Sequence, residues 1–143
     1  MENSDTSLYI PLNWERTVMG TLGIKLIECN KERVTAKMTI DERHLQPYGL
    51  LHGGVSGVIA ETVASVGSSQ FLDRERQRIA GLELNMNHIR SASLGETLYG
   101  VGIPLHIGRK TMVWNIKIHN EQDKLICASR CTIAVIDKPS TDK

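Results

Sequence analysis

Two features of the chain are able to act together on a carbonyl group. One is a glycine pair, Gly53-Gly54, directly after His52; the other is a carboxylate, Glu61, eight residues beyond Gly53. The residues between them carry no other ionisable side chain, and their apolar spacing predicts a helix that starts at the glycines. The first turn of a helix holds backbone N–H groups without partners inside the helix. Glycine there lets another molecule come close to those donors. With the positive end of the helix dipole, they make a place for an anion or a developing oxyanion. Glu61 sits two turns further on, about 12 Å along the axis at the usual rise per residue. A carboxylate so placed supplies a base or a nucleophile. Hydrolysis of a thioester needs both parts: donors for its oxygen, and a base or nucleophile beside its carbon. Ser65 follows Glu61 by four residues, so the two side chains are neighbours on one helix face.

Each part also has a plainer reading. A glycine pair ahead of a helix makes a tight turn. A face of small residues, here Gly54, Gly57, Ala64, Ser65 and Ser68 around Glu61, permits close packing against a neighbour. A lone helical glutamate is solvated, and His52 is then a structural loop histidine. Their combination is what points to chemistry.

A second set of polar groups comes late. His88, Arg90 and Ser91 close one strand, while His106, Gly108, Arg109 and Lys110 form a strand–turn–strand junction. A turn with glycine, arginine and lysine suits phosphate, because charge and backbone donors coincide; the alternative is a solvated hairpin tip. The five histidines lack HxH or HxxxH spacing, so no metal set is expected. GxSxG, Walker and GxGxxG sequences are absent as well.

The elements that must hold these residues follow from hydrophobic spacing. A short helical turn is expected at Trp14–Met19, ending near Gly20, and then a strand over Gly23–Cys29. Val34, Ala36, Met38 and Ile40 alternate with polar neighbours, the mark of a half-buried strand. Asp41–His52 is a loop, punctuated by Pro47 and Gly49. Gly53–Leu72 is the one long helix, with Val55, Val58, Ile59, Thr62, Val63 and Val66 as its apolar stripe. Four strands follow, over Ile79–Ser91, Glu96–His106, Lys110–His119 and Leu125–Ile136. No second long helix is available for parallel crossovers. The expected fold is therefore α+β, one helix against a curved, largely antiparallel sheet with a face and an edge left for a partner subunit.

Composition narrows the function classes. A chain of 143 residues fits one domain, read here as residues 13–137, with tails over 1–12 and 138–143. A net charge of +1 leaves no basic field for nucleic acid, and 4% aromatic residues leave few stacking platforms. The three cysteines are too far apart in sequence for a CxxC pair, which favours reduced thiols; Cys127 and Cys131 read as small core hydrophobes. No apolar stretch is long enough to span a membrane, and the acidic, polar N-terminus is unlike a signal peptide, so a cytoplasmic location is expected.

Gln46–Ser65, with its HGG at His52–Gly54 and the acid downstream, resembles the hotdog-fold acyl-CoA thioesterases. It looks closest to the branch that contains 1,4-dihydroxy-2-naphthoyl-CoA thioesterase of menaquinone synthesis and the enterobactin-pathway proofreading thioesterase. The similarity continues through Gly81–Ala92, Pro104–Ile116 and the final strand. It implies hydrolysis of an aryl- or acyl-CoA, with the dihydroxynaphthoyl ester leading and a broad-range acyl-CoA thioesterase as the alternative. Glu61 would be the catalytic carboxylate, as general base or nucleophile, and the Gly53 N–H would polarise the carbonyl. Gln46 and His52 would orient carbonyl, water or leaving group, and Ser65 would hold the water or Glu61. His88, Arg90, Ser91, His106, Arg109 and Lys110 would lie near the CoA. No cofactor is implied beyond the CoA of the substrate. The family pairs two hotdogs into a homodimer, with Gln46 and Gly53 of one subunit facing Glu61 of the other, and two dimers usually form a homotetramer. A hydratase using His52 with Glu61, or a non-catalytic acyl-CoA-binding module, are the competing readings.

Overall fold

The computed structural model describes residues 13–140. The expected N-terminal tail over 1–12, and residues 141–143 of the C-terminal one, lie outside the described residues. The chain begins with a 3-10 turn, Trp14–Arg16, and a short helix α1, Val18–Leu22. The expected stop near Gly20 falls instead at Gly23, whose φ of 69° provides the left-handed cap. Then come β1 Lys25–Cys29, β2 Val34–Thr39, a 3-10 turn Glu42–His44, the long helix α2 Gly53–Ser69, β3 Gln77–His88, β4 Thr97–Ile107, β5 Thr111–Asn120 and β6 Leu125–Asp137.

The strands form one sheet in the order β1-β2-β4-β5-β6-β3, with every neighbouring pair antiparallel. Period-two patterning explains its buried face. Val34, Ala36 and Met38 of β2 and Met112, Trp114, Ile116 and Ile118 of β5 all point into the core. Helix α2 lies across that face, with Val55, Ile59 and Val63 buried. Burying each of these side chains contributes roughly 1.5–3 kcal/mol. The helix can come so close because glycines meet it. A side chain at Gly102 would overlap Val63, and one at Gly67 would overlap the Trp114 ring. The Trp114 Nε1–H donates to Ser68 Oγ at 2.8 Å, which fastens the last turn of α2 to β5.

The sheet wraps more of the helix than the apolar stripe predicts. Ser56, Ala60 and Gly67 are buried too, while Val58 and Val66 are only half-buried. The helix also stops at Ser69, short of the expected Leu72. Ser69 Oγ and Gln70 Nε2 donate to the Val66 carbonyl at 2.6 and 3.4 Å and occupy an acceptor of the last turn. At the far end of the sheet, Lys138 is not loose: its N–H donates to the Arg76 carbonyl at 2.7 Å.

β3 is an edge strand of twelve residues, and no described strand pairs with its outer side. A bulge between Gly81 and Glu83 interrupts its register with β6, and Leu82 at that point is 61% exposed.

Candidate active site

The loop ahead of α2 is pinned from below. His44 is fully buried; its Nδ1 accepts from the Asp41 N–H at 2.9 Å, and its Nε2 lies 2.8 Å from the Leu22 carbonyl. The His44 carbonyl then accepts the His52 N–H at 2.8 Å. This fixes where the helix begins. His52 is the N-cap, and its Nδ1 accepts from the Gly54 N–H at 2.8 Å. In a neutral imidazole the acceptor nitrogen carries no proton, so Nε2–H is left as a donor. The Gly53 N–H has no acceptor among the described residues. Next to it lies the imidazole of His88: a methyl group at position 53 would sit 2.7 Å from its Cε1 and Nε2. A larger residue at 53 would have to displace that ring.

Gln46 heads a turn closed by Gly49 N–H to its carbonyl at 2.9 Å, with Pro47 at the second position and Gly49 at a φ of 82°. Its Oε1 accepts from the Tyr48 N–H. The side-chain carbonyl is thereby engaged, and the NH2 remains as the outward donor. Leu51 N–H donates to the Ala92 carbonyl at 2.9 Å and ties this loop to the segment that follows β3. The result is one cleft of about 310 Å³ that gathers Gln46, Gly53, His88, Arg90 and Ser91, with Leu50, Leu51, Ile89 and Ile126 as apolar wall.

Glu61 does not line that cleft. Its side chain is exposed two turns along α2, over the bulged stretch of β3, where a methyl on Gly81 would overlap its Oε1. It makes no ion pair or side-chain hydrogen bond among the described residues. Ser65 is half-buried one turn further. Nearby, burial pushes the Cys131 thiol up to about 11, and the Glu61 and Glu83 carboxylates add to the rise. Cys131 is therefore an inert packing residue beside the acid rather than a nucleophile.

His106, Arg109 and Lys110 stand elsewhere. On β6, Cys127 pairs with His88 whereas Ala134 pairs with Thr111 beside the β4–β5 turn. Seven strand residues separate the two points, about 23 Å at the usual rise. Within one chain, the expected CoA-binding residues thus divide into two groups at opposite ends of the sheet.

Two residues with a bearing on the site were not singled out from sequence. His44 looked like one of several scattered histidines, and nothing in its spacing revealed the bonds that bury it. Ser56 looked like one small residue among many. It is fully buried, lines the same cleft as Gly53, and its Oγ has no hydrogen-bond partner among the described residues.

One helix wrapped by a six-stranded antiparallel sheet, with the Gly53 N–H at the helix start and the Glu61 carboxylate two turns on both without partners among the described residues, is the hotdog architecture of thioester-cleaving enzymes. The chain belongs to the thioesterase superfamily, whose family model matches residues 48–127. It is 46% identical to ComA2 of Bacillus subtilis (strain 168) over 89% of this chain and 100% of that protein. It is 42% identical to a 1,4-dihydroxy-2-naphthoyl-CoA hydrolase of Listeria monocytogenes over 82% of this chain and 94% of that one. Among solved structures, a mutant of thioesterase PA1618 from Pseudomonas aeruginosa superposes with a TM-score of 0.84 at 35% identity, covering 87% of this chain and 89% of that one. No helix among the described residues is long and apolar enough to cross a membrane.

Proposed function

We propose that the protein hydrolyses an aryl-CoA thioester, with 1,4-dihydroxy-2-naphthoyl-CoA as the leading substrate, at a site shared by two subunits. The observation that carries this is the polarity of the α2 start and the loop before it. The Gly53 N–H is free, and the acceptor atoms of Gln46 and His52 are taken by backbone N–H groups. Of these three residues, the groups left open are the Gly53 N–H, the Gln46 NH2 and the His52 Nε2–H, all donors, which suit a thioester oxygen as it becomes an oxyanion. His52 Nδ1 is occupied as a cap, which argues against the proton shuttle that a hydratase would ask of it.

The carboxylate comes from the partner. Two copies of β3 pair antiparallel through their free outer edges, so the start of one strand lies beside the end of the other. Glu61, seated over Gly81 near the start of β3, then approaches the Gly53 and His88 of the partner copy. The Arg109–Lys110 turn, at the start-of-β3 end of the sheet, likewise approaches the partner's Arg90 and Ser91. The two halves of the expected CoA set, far apart in one chain, meet across the dimer. Glu61 activates water at the carbonyl carbon or attacks it directly. The C–S bond breaks, CoA leaves as the thiol, and water supplies the oxygen and proton that complete the free acid. The apolar wall of Leu50, Leu51, Ile89 and Ile126 gives an aryl group a surface to lie against. The 42% identity to a named 1,4-dihydroxy-2-naphthoyl-CoA hydrolase supports that acyl group.

The test is thiol release from a panel of aryl, branched and straight-chain acyl-CoAs, with subunit mass measured in parallel. The proposal expects a steep preference for aryl esters and a particle of two or four chains. Equal rates across the panel would remove the substrate assignment, and an active monomer would remove the shared site.

A further inference from the structure

The helix start offers one donor that the mechanism above does not use. Ser56 is 0% exposed, and its Oγ is the only buried side-chain polar atom among the described residues without a hydrogen-bond partner. A helical serine usually satisfies its hydroxyl on the carbonyl four residues back. Here that carbonyl, of His52, takes the Val55 N–H at 3.0 Å, and Ser56 Oγ makes no bond to it. Leaving such a group unpaired costs about 1–3 kcal/mol. Ser56 follows Gly53 by three residues, so both lie on one face of α2. The Cα–Cβ bond of a helical residue leans toward the N-terminus, which directs the hydroxyl back toward the Gly53 N–H. Both residues line the one cleft. Two donors without acceptors among the described residues therefore stand one helical turn apart on the same wall.

We propose that Ser56 is a further catalytic residue: its hydroxyl donates, beside the Gly53 N–H, to the carbonyl oxygen of the bound thioester. The proposal rests on the thioester-hydrolysis reading and adds a hydroxyl donor to it. The hydroxyl has a partner only when substrate is present, and its bond tightens as negative charge grows on that oxygen.

The experiment compares wild type with Ser56→Ala using three readouts. The first is thermal stability of the free protein. The second is kcat/KM on an aryl-CoA substrate. The third is the ratio of affinities for phenacyl-CoA, which keeps a carbonyl, and 2-phenylethyl-CoA, which lacks one. Ser56→Ala is expected to keep or slightly raise Tm, because it removes an unpaired buried hydroxyl. It should lower kcat/KM at least about 10-fold, and up to the 10²–10³-fold typical of one lost oxyanion donor. It should also reduce the preference for phenacyl-CoA about 3- to 10-fold, the worth of one neutral hydrogen bond. A variant within twofold of wild type on kcat/KM and on that preference overturns the proposal, as does equal weakening of both analogues. So does a drop in Tm with the preference intact, which would make the hydroxyl structural. Wild type is the control for the underlying reading. If wild type hydrolyses no acyl-CoA, that reading fails; if wild type is active and Ser56→Ala matches it, only the role of Ser56 fails.

Discussion

Replacing His52 separates two jobs that the structure gives one side chain. Its Nδ1 caps α2 by accepting the Gly54 N–H at 2.8 Å, and its Nε2–H is left as a donor beside Gly53. Alanine removes both. Aspartate keeps an acceptor for the cap, adds a charge that suits the helix start, and has no donor. Asparagine keeps a cap acceptor and an NH2 donor. Loss of a cap costs about 1 kcal/mol. The unfolding entropy of a chain this size is roughly 0.3 kcal/mol/K, so His52→Ala should lower Tm by roughly 3 °C. His52→Asp and His52→Asn should stay near wild type in Tm. In a thiol-release assay, His52→Asn should keep more activity than His52→Asp, whose carboxylate repels a developing oxyanion. The reasoning is refuted if His52→Ala leaves Tm unchanged, since the Nδ1 bond would then not hold the helix start. It is equally refuted if His52→Asn is no better than His52→Asp, since a donor at this position would then be irrelevant.

Three other perturbations follow from close contacts and charge. Gly81→Ala should push the Glu61 carboxylate off its seat on the exposed edge strand; kcat is expected to fall at least about 10-fold, the low side of acid–base effects, while the melting temperature stays near wild type. Gly67→Ala drives a methyl into the buried Trp114 ring and should cost about 1–3 kcal/mol, seen as a lower melting temperature and altered tryptophan fluorescence. The hydrogen bond from Arg43 holds the Asp41 carboxyl at about 2, below its ordinary 3.8. A depressed carboxyl stabilises the fold above its unfolded value and loses that contribution as pH falls through the folded one. The stability gap between wild type and Asp41→Asn should thus be constant above about pH 5 and shrink between about pH 4 and 2, measured by thermal melts across that range.

Much of this architecture is local in origin and so could be read from spacing. The alternation along β2 and β5, and the apolar stripe of α2, report burial directly because side-chain direction repeats with the backbone. The glycine pair and Glu61 were legible for the same reason: both lie on one helix. The grouping of Gln46 and Gly53 with His88 is not legible, because it depends on hydrogen bonds between the loop and the segment just after β3, distant in sequence; the family resemblance put His88 only with the CoA-binding set. Ser56 escaped notice because an unpaired hydroxyl is a property of its surroundings, not of its type. His44 escaped for a similar reason: its bonds run to Leu22 and Asp41, in a loop that spacing leaves blank. α2 ends three residues before the expected Leu72 because the side chains of Ser69 and Gln70, which take up the Val66 carbonyl, carry no periodic signal.

Hydrolysis by this site depends most on the acid over Gly81. Glu61 has no ion pair or hydrogen bond to lose within the described residues, so Glu61→Gln should leave the melting temperature unchanged. Turnover of an aryl-CoA, followed by thiol release at saturating substrate, should drop about 10²–10⁴-fold. A folded Glu61→Gln protein that cleaves acyl-CoAs at close to the wild-type rate would contradict the account.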